Sequence, residues 1–351
     1  MEEIYNKLND YLNEICKYLE VQDSFLLDNI HILAGLNDKV LKVLNNYNFD
    51  NKVITNKLTF EDVFYLAREI IEQIDASYLD SFDNLIKTGE LDFSYENKYY
   101  GSHYQYFYND NREVVGKLIN INREFSYDDV LTLVHEFIHY TNGDRITNNR
   151  YYLTEFLSIY FEFFAIDYLL KKGINKEEMD YLFRFKFIKK SCKLFNRYEL
   201  ILLAYTKFGK IDDNSYVFLK QFFFDISKET FENECRDFCE LLIKAEKNTE
   251  EEIKKNPKCF GEIISKEFIT YNYRYIMGTA LAIYARDYVD FKDMVYLNNH
   301  INDYNDKDVF DICKSMGINK YSDFINKLYT AMDEYLNELD VSIKNKIDNY
   351  L

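Results

Sequence analysis

One five-residue stretch combines two histidines and a glutamate at a spacing that can hold a metal ion. It reads His135-Glu136-Phe137-Ile138-His139, the HExxH pattern in which two histidines of one helix bind zinc. Side chains four residues apart lie on the same face of a helix, so both imidazoles can reach one ion. Glu136 projects beside them, where it can hold and deprotonate a water molecule at the metal. The pattern therefore predicts His135 and His139 as metal ligands and Glu136 as a general base.

The residues around this pattern predict a buried helix with well-defined ends. Ser126 is a suitable N-cap, and Asp128 and Asp129 follow in the first turn, where carboxylates interact favourably with the helix dipole. Gly143 is a suitable C-terminal cap, and the residues between these ends are apolar on nearly every side. Two core histidines satisfied by neighbouring groups are the alternative, but two imidazoles and a carboxylate are costly to bury without a metal.

The next helix offers a third ligand, which a catalytic zinc ion needs because it takes three protein ligands and leaves one position open. From about Asn149 to Asp167 the sequence is apolar around nearly its whole circumference, which predicts a central core helix. Within it, Glu155, Ser158 and Glu162 lie on one face. Because charged residues are rarely buried unless they are paired or bound to metal, this face is a candidate for the metal site.

Helix length favours Glu155 as the third metal ligand. At a rise of ~1.5 Å per residue, His139 lies ~6 Å before the end of the first helix and Glu155 ~8 Å into the second. An antiparallel return of the second helix therefore brings Glu155 level with the two histidines. Glu162 is the candidate for a carboxylate that orients a histidine N–H from outside the coordination sphere. An ordinary buried hydrogen bond is an equal alternative for Glu162.

Three blocks of the sequence together resemble the oligoendopeptidase F and thimet oligopeptidase group of zinc peptidases. Residues 128–139 are similar to the metal-binding helix of that family. The spacing Glu155-x-x-Ser158-x-x-x-Glu162 matches its glutamate-bearing helix at each specified position. Residues 271–278, Tyr-Asn-Tyr-Arg-Tyr-Ile-Met-Gly, are similar to a tyrosine-rich stretch that ends in glycine.

This resemblance covers about residues 95–290 and implies a fold and a site. The implied fold is mainly α, a gluzincin-type helical metallopeptidase with a small β-sheet before the HExxH helix. The resemblance also implies one bound Zn²⁺, and tyrosines that help to bind the substrate and the reaction intermediate. We expect Tyr275 first and Tyr271 second in this role, because a phenol O–H directed at a developing oxyanion stabilises it in a water-poor cleft. An aromatic stripe in the core is the alternative for both tyrosines.

The sequence departs from the family pattern at several points. The connection between His139 and Glu155 is shorter than is usual in the family, and the chain is far shorter than typical members. No histidine occurs between His139 and His300, although the family places one upstream of its tyrosine stretch. Arg274 stands where a glutamine is common. The missing histidine affects one element of intermediate stabilisation, whereas the metal-ligand positions are all present.

Residues 91–122 are the best candidate for β-structure. Residues 93–108 are aromatic and partly alternating, and residues 114–121 are rich in β-branched side chains. A small sheet placed directly before the metal helix could lie along the cleft, where a peptide could add to its edge through main-chain hydrogen bonds. A purely structural hairpin is equally compatible with the pattern.

Ten glycines and one proline in 351 residues leave long stretches without a strong helix breaker, which favours a mostly helical architecture. We expect an N-terminal helical region, residues 1–90, packed as one unit with a catalytic metallopeptidase domain, residues 91–351. Thr249 and Glu252 fit a capping box for a short helix. The predicted helices span residues 2–20, 24–46, 60–88, 127–142, 150–172, 176–208, 214–246, 261–298, 306–316, 320–337 and 339–350.

Charge and cysteine content exclude several classes of partner and site. The formal net charge of −17 argues against a nucleic-acid partner, whose phosphates would be repelled. No secretory signal is visible, and no stretch approaches the ~20 apolar residues needed to span a membrane, so we expect a cytoplasmic protein. Cys235 and Cys239 are four residues apart on a predicted helix, but no histidine or third cysteine is near them in the sequence. Core packing is therefore the favoured interpretation of this pair.

Together these features predict a zinc-dependent metallopeptidase, an oligoendopeptidase-like hydrolase that acts on short peptides. One Zn²⁺ would be held by His135, His139 and Glu155, and Glu136 would pass a proton from the attacking water to the leaving amine. A catalytically silent, zinc-containing peptide-binding protein is the alternative from another class. An all-helical interaction protein with an accidental HExxH is a third. The sequence leaves the oligomeric state and the cleavage-site preference open.

Overall fold

The described residues form two compact units. One unit is drawn from Met1–Tyr47, Ile188–Ile276 and Met332–Leu351, and the other from Asn48–Phe187 and Met277–Ala331. The predicted division into residues 1–90 and 91–351 remains a prediction. The structure, a computed structural model, describes residues 1–22, 57–93, 102–109, 114–142, 151–174, 176–179, 181–182, 197–220, 227–256, 261, 270–304, 312, 314–317, 319, 327 and 330.

A three-stranded sheet precedes the HExxH helix, as the sequence predicts. Its strands are β1 (Leu91–Asp92), β2 (His103–Tyr108) and β3 (Val114–Asn120), in the order β1-β3-β2. Strand β3 runs parallel to β1 and antiparallel to β2. In the described sheet β2 pairs on one side, with β3, so its other side is an edge. The mainly α fold with a small sheet is therefore confirmed.

The helices of the same unit place the HExxH stretch in the core. Helix α4 (Tyr127–Asn142) has the predicted bounds, and helix α5 (Tyr151–Lys171) agrees with its predicted bounds to within one residue at each end. The two helices pack along each other, and the apolar side chains of α4 are fully buried. The helices are α2 (Phe60–Ile74), α3 (Leu79–Thr88), α4 (Tyr127–Asn142), α5 (Tyr151–Lys171) and α11 (Phe291–Asn299).

The predicted helix over residues 60–88 is interrupted at Asp75. This residue has extended dihedral angles, φ −160° and ψ 116°, and its carboxylate accepts a hydrogen bond from Ser77 N at 2.9 Å. An aspartate side chain competes with the helical backbone for such donors, which is why the helix stops there. A short 3₁₀ helix, Ala76–Tyr78, then leads into α3.

The second unit is also helical where it is described. The predicted helix over residues 214–246 is two helices, because Ser227 caps a new helix through a hydrogen bond from Thr230 N. The predicted capping box at Thr249 does not form, since that hydroxyl donates to Ala245 O at 2.8 Å instead. The helices are α1 (Glu2–Gln22), α6 (Arg197–Phe208), α7 (Asp213–Leu219), α8 (Lys228–Asn248) and α9 (Glu250–Lys255).

The boundary between the two units falls within helix α10 (Thr270–Tyr288). Residues up to Ile276 belong to one unit, and residues from Met277 belong to the other. Its residues 281–285 are buried, so its C-terminal half belongs to the core. Across the described part of the chain, none of the helices combines the length and the apolar character needed to cross a membrane.

Candidate metal centre

Two side chains of helix α5 contact the Nδ1 atoms of the two HExxH histidines. Glu162 Oε2 lies 3.1 Å from His135 Nδ1, and Ser158 Oγ lies 3.2 Å from His139 Nδ1. The earlier histidine of α4 contacts the later of these two α5 residues, and the later histidine contacts the earlier one. Helix α5 therefore runs antiparallel to α4, as the length argument requires. The contacts fix the rotation of both rings and leave each Nε2 directed away from them.

The Nε2 atoms of the two rings converge on the carboxylate of Glu155. His135 Nε2 and His139 Nε2 are 3.0 Å apart. Glu155 Oε2 lies 3.7 Å from His135 Nε2, and Glu155 Oε1 lies 3.6 Å from His139 Nε2. Three ligand atoms from two helices therefore surround one point, and these three residues form a group that could hold a metal ion.

The separations of these atoms fit a small divalent cation. Zinc binds histidine nitrogen and carboxylate oxygen at about 2.0–2.2 Å, so two such ligands of one ion are at most about 4 Å apart. The observed separations of 3.0, 3.6 and 3.7 Å lie within this limit. Two imidazoles and one carboxylate are also the donor types of catalytic zinc sites that keep a position open. The residues present therefore fit the metal that the HExxH pattern predicts.

Charge provides a second test of the same conclusion. Glu136, Glu155 and Glu162 are 8%, 3% and 1% exposed, and all three belong to the two site helices. Carboxylates are rarely buried to this degree unless they are paired or bound to a metal. Each neutral imidazole can pair with Glu162 or Ser158 but cannot offset three negative charges. A divalent cation at the convergence point would place positive charge beside these carboxylates.

A buried aspartate fixes the start of α4. The carboxylate of Asp129 accepts hydrogen bonds from Glu124 N at 2.9 Å and from Phe125 N at 2.8 Å. These bonds hold a tight turn in which Phe125 has a left-handed φ of 59°. Burial raises the pKa of Asp129 to about 6 in spite of the hydrogen bonds. The sequence indicates acids in this turn, but not that one of them would fold back onto the preceding backbone.

Buried amides anchor the other end of α4, and sequence reasoning missed them. Asn142 Nδ2 donates to Asn298 Oδ1 at 2.7 Å, and both side chains are fully buried. Asn298 Nδ2 in turn donates to the Tyr78 hydroxyl at 2.7 Å. Asparagine at a helix end suggests a surface turn, so no local signal identifies this contact between segments distant in sequence. Gly143, the predicted cap, lies outside the described residues.

The sheet lies beside the site helix α4. The ring of Tyr104 in β2 is 5.8 Å from that of Tyr140, and Lys117 of β3 lies over the Tyr140 ring at 5.1 Å. The Tyr140 hydroxyl donates to Glu90 Oε2 at 3.1 Å, just before β1. The sheet is thus tied to the last turns of the helix that carries both histidines.

The predicted tyrosines remain predictions. Tyr271 and Tyr275 belong to α10, but their side chains lie outside the described residues. Further along the same helix, Arg286 Nη2 donates to Asp167 Oδ1 at 3.1 Å, which joins α10 to α5.

Two solved structures share the fold of this chain. A "putative oligoendopeptidase F" of Bacillus anthracis str. Ames matches 95% of this chain with a TM-score of 0.50 and 15% identity. A "putative peptidase" of Chlamydophila abortus matches 97% of this chain with a TM-score of 0.51 and 15% identity. The chain spans 57% and 63% of those two proteins, and at this identity the likeness shows the fold alone. No protein-family model and no curated protein matches the sequence.

Proposed function

We propose that this protein is a zinc-dependent metallopeptidase that hydrolyses peptide bonds of short oligopeptides. The observation that carries the proposal is the convergence of His135 Nε2, His139 Nε2 and the Glu155 carboxylate on one point. The fold supports it independently, because both solved neighbours are named as peptidases. A metal site on an unrelated helical fold would support the chemistry much less.

His135, His139 and Glu155 would hold one Zn²⁺. A bound zinc ion polarises a substrate carbonyl and lowers the pKa of a water molecule from 15.7 toward about 7. Glu162 would accept the Nδ1 hydrogen of His135 and Ser158 that of His139, so that both rings would present a basic Nε2 to the site. Such outer hydrogen bonds set the tautomer and orientation of metal-binding histidines.

Glu136 would carry the proton during hydrolysis. It is buried and lies on α4 between the two histidines, within one turn of His139. Its carboxylate would take a proton from the attacking water and deliver it to the leaving amine. Tyr275 and Tyr271 are proposed to donate hydroxyl hydrogen bonds to the oxyanion of the tetrahedral intermediate.

Short peptides are the substrate class that we propose. In the described sheet, β2 is an edge strand next to the HExxH helix, and an extended peptide would add to such an edge through main-chain hydrogen bonds. The net charge of −17 disfavours nucleic acid as a partner. Residence in the cytoplasm stays a prediction.

The test combines metal analysis with peptide cleavage. Purified protein is expected to contain one zinc per chain, to cleave a mixed peptide library, and to lose cleavage with a chelator and regain it with zinc. Glu136→Gln is the matched variant, because it keeps the size of the side chain and the metal ligands but removes the base. We expect it to retain zinc and to lose about 10²–10⁴-fold in kcat, the usual contribution of general acid–base catalysis.

Each outcome of this test discriminates between functions. Wild-type turnover in Glu136→Gln would contradict the role of the base. Zinc and peptide binding without cleavage in the wild type would instead favour a catalytically silent peptide-binding protein. A protein without zinc would favour a helical interaction protein in which the HExxH sequence is accidental.

A further inference from the structure

One glycine of α10 packs directly against the backbone of the helix that carries the third candidate ligand. We propose that Gly278 is a positioning residue for Glu155: because it lacks a side chain, α10 approaches α5 closely enough to set the place of that carboxylate. The inference rests on the proposed metal centre and adds a residue that touches neither the metal nor the substrate.

The contact leaves no space for even a methyl group. A Cβ added at Gly278 would lie 2.7 Å from Glu155 Cβ, 2.8 Å from Phe156 N and 3.0 Å from the Glu155 carbonyl carbon. Real Cβ atoms essentially never come closer than 3.0 Å, and ordinary contacts begin at 3.4 Å. Two of the three atoms belong to the α5 backbone, so no side-chain rotation can relieve the overlap.

The displacement that any larger residue would cause exceeds what a metal site tolerates. Extending a 2.7 Å contact to 3.4 Å requires one of the two backbones to move by several tenths of an ångström. Metal–ligand distances in proteins vary by only about 0.2 Å around their preferred values. The atoms that would have to move include the Cβ of Glu155, from which its carboxylate extends toward the two imidazoles. A side chain at position 278 would therefore act on the metal through Glu155.

The surroundings direct this displacement to the Glu155 end of α5. Further along the helices, Arg286 donates to Asp167 at 3.1 and 3.4 Å. The Phe164 ring stacks on that of Phe291 with centroids 4.4 Å apart. Both contacts hold the later turns of α5 in place. Because Phe156 is fully buried, the first turns cannot move outward without opening the core.

The chain offers a matched control in its other unit. A Cβ added at Gly261 would lie 2.9 Å from Glu14 O and 3.0 Å from Tyr18 Cβ, both on α1. This overlap is also with the backbone of a helix, but that helix carries none of the proposed metal ligands. Gly261→Ala thus reproduces the packing strain of Gly278→Ala without displacing Glu155.

The experiment measures zinc affinity by competition with a chelator, and thermal unfolding of the metal-free protein, for both variants. Each variant is expected to unfold at a lower temperature than the wild type, because overpacking strains a core. Gly278→Ala is expected to weaken zinc binding by about 10–100-fold, as loss of a supporting residue does in other metal sites. Gly261→Ala is expected to bind zinc as the wild type does.

A double-mutant cycle with Glu155→Ala tests whether the effect passes through the ligand. Without the Glu155 carboxylate, the methyl group at position 278 has no ligand to displace, so its effect on zinc affinity should largely vanish. An equal loss of affinity in both backgrounds would overturn the inference. So would wild-type affinity in Gly278→Ala, or failure of Gly278→Ala to fold where Gly261→Ala folds. Failure of zinc binding in the wild type itself would overturn the metal centre, a result that the positioning variants alone cannot produce.

Discussion

Helices α4 and α8 each carry two side chains of types that can bind a metal, four residues apart, but only α4 contributes to a candidate metal centre among the described residues. Cys235 and Cys239 of α8 are as well buried as His135 and His139. Within the described chain, the group that could hold a metal contains the two histidines and Glu155, and neither cysteine. Spacing on one helix is therefore not sufficient for a site.

The difference lies in what surrounds each pair. Burial raises the pKa of Cys235 to about 12, and it also raises the pKa of Cys239. Both thiols are thus kept protonated, whereas a cysteine must be a thiolate to bind a metal. The histidines of α4 face Ser158 and Glu162 at Nδ1 and the Glu155 carboxylate at Nε2. The second helix makes the histidine pair a candidate site, because it adds the Glu155 carboxylate and contacts both rings.

Disrupting the histidine pair and disrupting the cysteine pair should have the most different effects. His139→Ala deletes a ligand, so we expect zinc affinity to fall by more than the about 10–100-fold typical of outer partners, and cleavage to disappear. The double variant Cys235→Ala, Cys239→Ala removes two buried thiols and should lose stability but keep one zinc per chain. Metal analysis after dialysis, together with cleavage rates, measures both. Zinc loss in the cysteine variant would reverse the comparison.

The orienting groups of α5 should have the next largest effect. Glu162→Gln keeps the shape of the side chain but removes the charge that accepts from His135 Nδ1, so we expect zinc affinity to fall about 10–100-fold. Ser158→Ala removes a neutral acceptor from His139 and should cost less, because hydrogen bonds to charged groups are about twice as strong as neutral ones. Chelator competition at several pH values measures both losses. Equal effects would show that the charge of Glu162 is unimportant.

This comparison also shows how far the sequence predicts the site. His135, Glu136 and His139 follow from a local motif, and Glu155 follows from helix geometry, because both depend on regular 3.6-residue periodicity. The contact of Asn142 with Asn298 joins segments 156 residues apart, and no local pattern encodes it. The close approach of Gly278 is equally hidden, since a glycine near a helix centre indicates close packing without naming the partner.

The helix bounds, too, include some that the sequence predicts and some that it does not. The bounds of α4 agree with prediction because Ser126 and the following acids mark its start. The break at Asp75 and the new start at Ser227 were missed, although both residues are good caps, because apolar periodicity continues across them. Capping residues inside a periodic stretch are ambiguous, and tertiary packing decides which of them end a helix.

The side-chain hydrogen bonds that anchor α4 and α8 should differ in their contribution to stability. Asn142→Ala leaves the buried Oδ1 of Asn298 without its donor, which we expect to cost about 1–3 kcal/mol of unfolding free energy. In the other unit, Tyr11→Phe removes the hydroxyl of a buried tyrosine that donates to the exposed carboxylate of Glu246 of α8 at 2.5 Å. We expect it to cost less than Asn142→Ala does, because water can hydrate the exposed Glu246 carboxylate once the hydroxyl is gone. Urea unfolding of the metal-free proteins measures both, and a larger loss in Tyr11→Phe would contradict the argument.

The last expected effect is a dependence of stability on pH, and it concerns two aspartates at helix starts whose pKa values move in opposite directions. Burial raises the pKa of Asp129 from 3.8 to about 6, so its folded form holds a proton more tightly than the unfolded chain does. The stability that this provides is complete below about pH 4 and is lost as the pH rises through about 6. Relative to Asp129→Asn, the wild type should therefore lose about 2–3 kcal/mol between pH 4 and 7.

Asp62 of α2 is the matched control for this pH dependence. Hydrogen bonds from Thr59 lower the pKa of its exposed carboxyl below 3.8, so its contribution to stability is present above that pH and is lost only in stronger acid. The difference between the wild type and Asp62→Asn should accordingly stay constant from pH 5 to 7. Urea unfolding of the metal-free proteins over this range distinguishes the two residues. The free-energy difference between the wild type and Asp129→Asn could also prove constant over this range. That result would show that the turn before α4 does not desolvate the Asp129 carboxyl, and that hydrogen bonds alone set the start of α4.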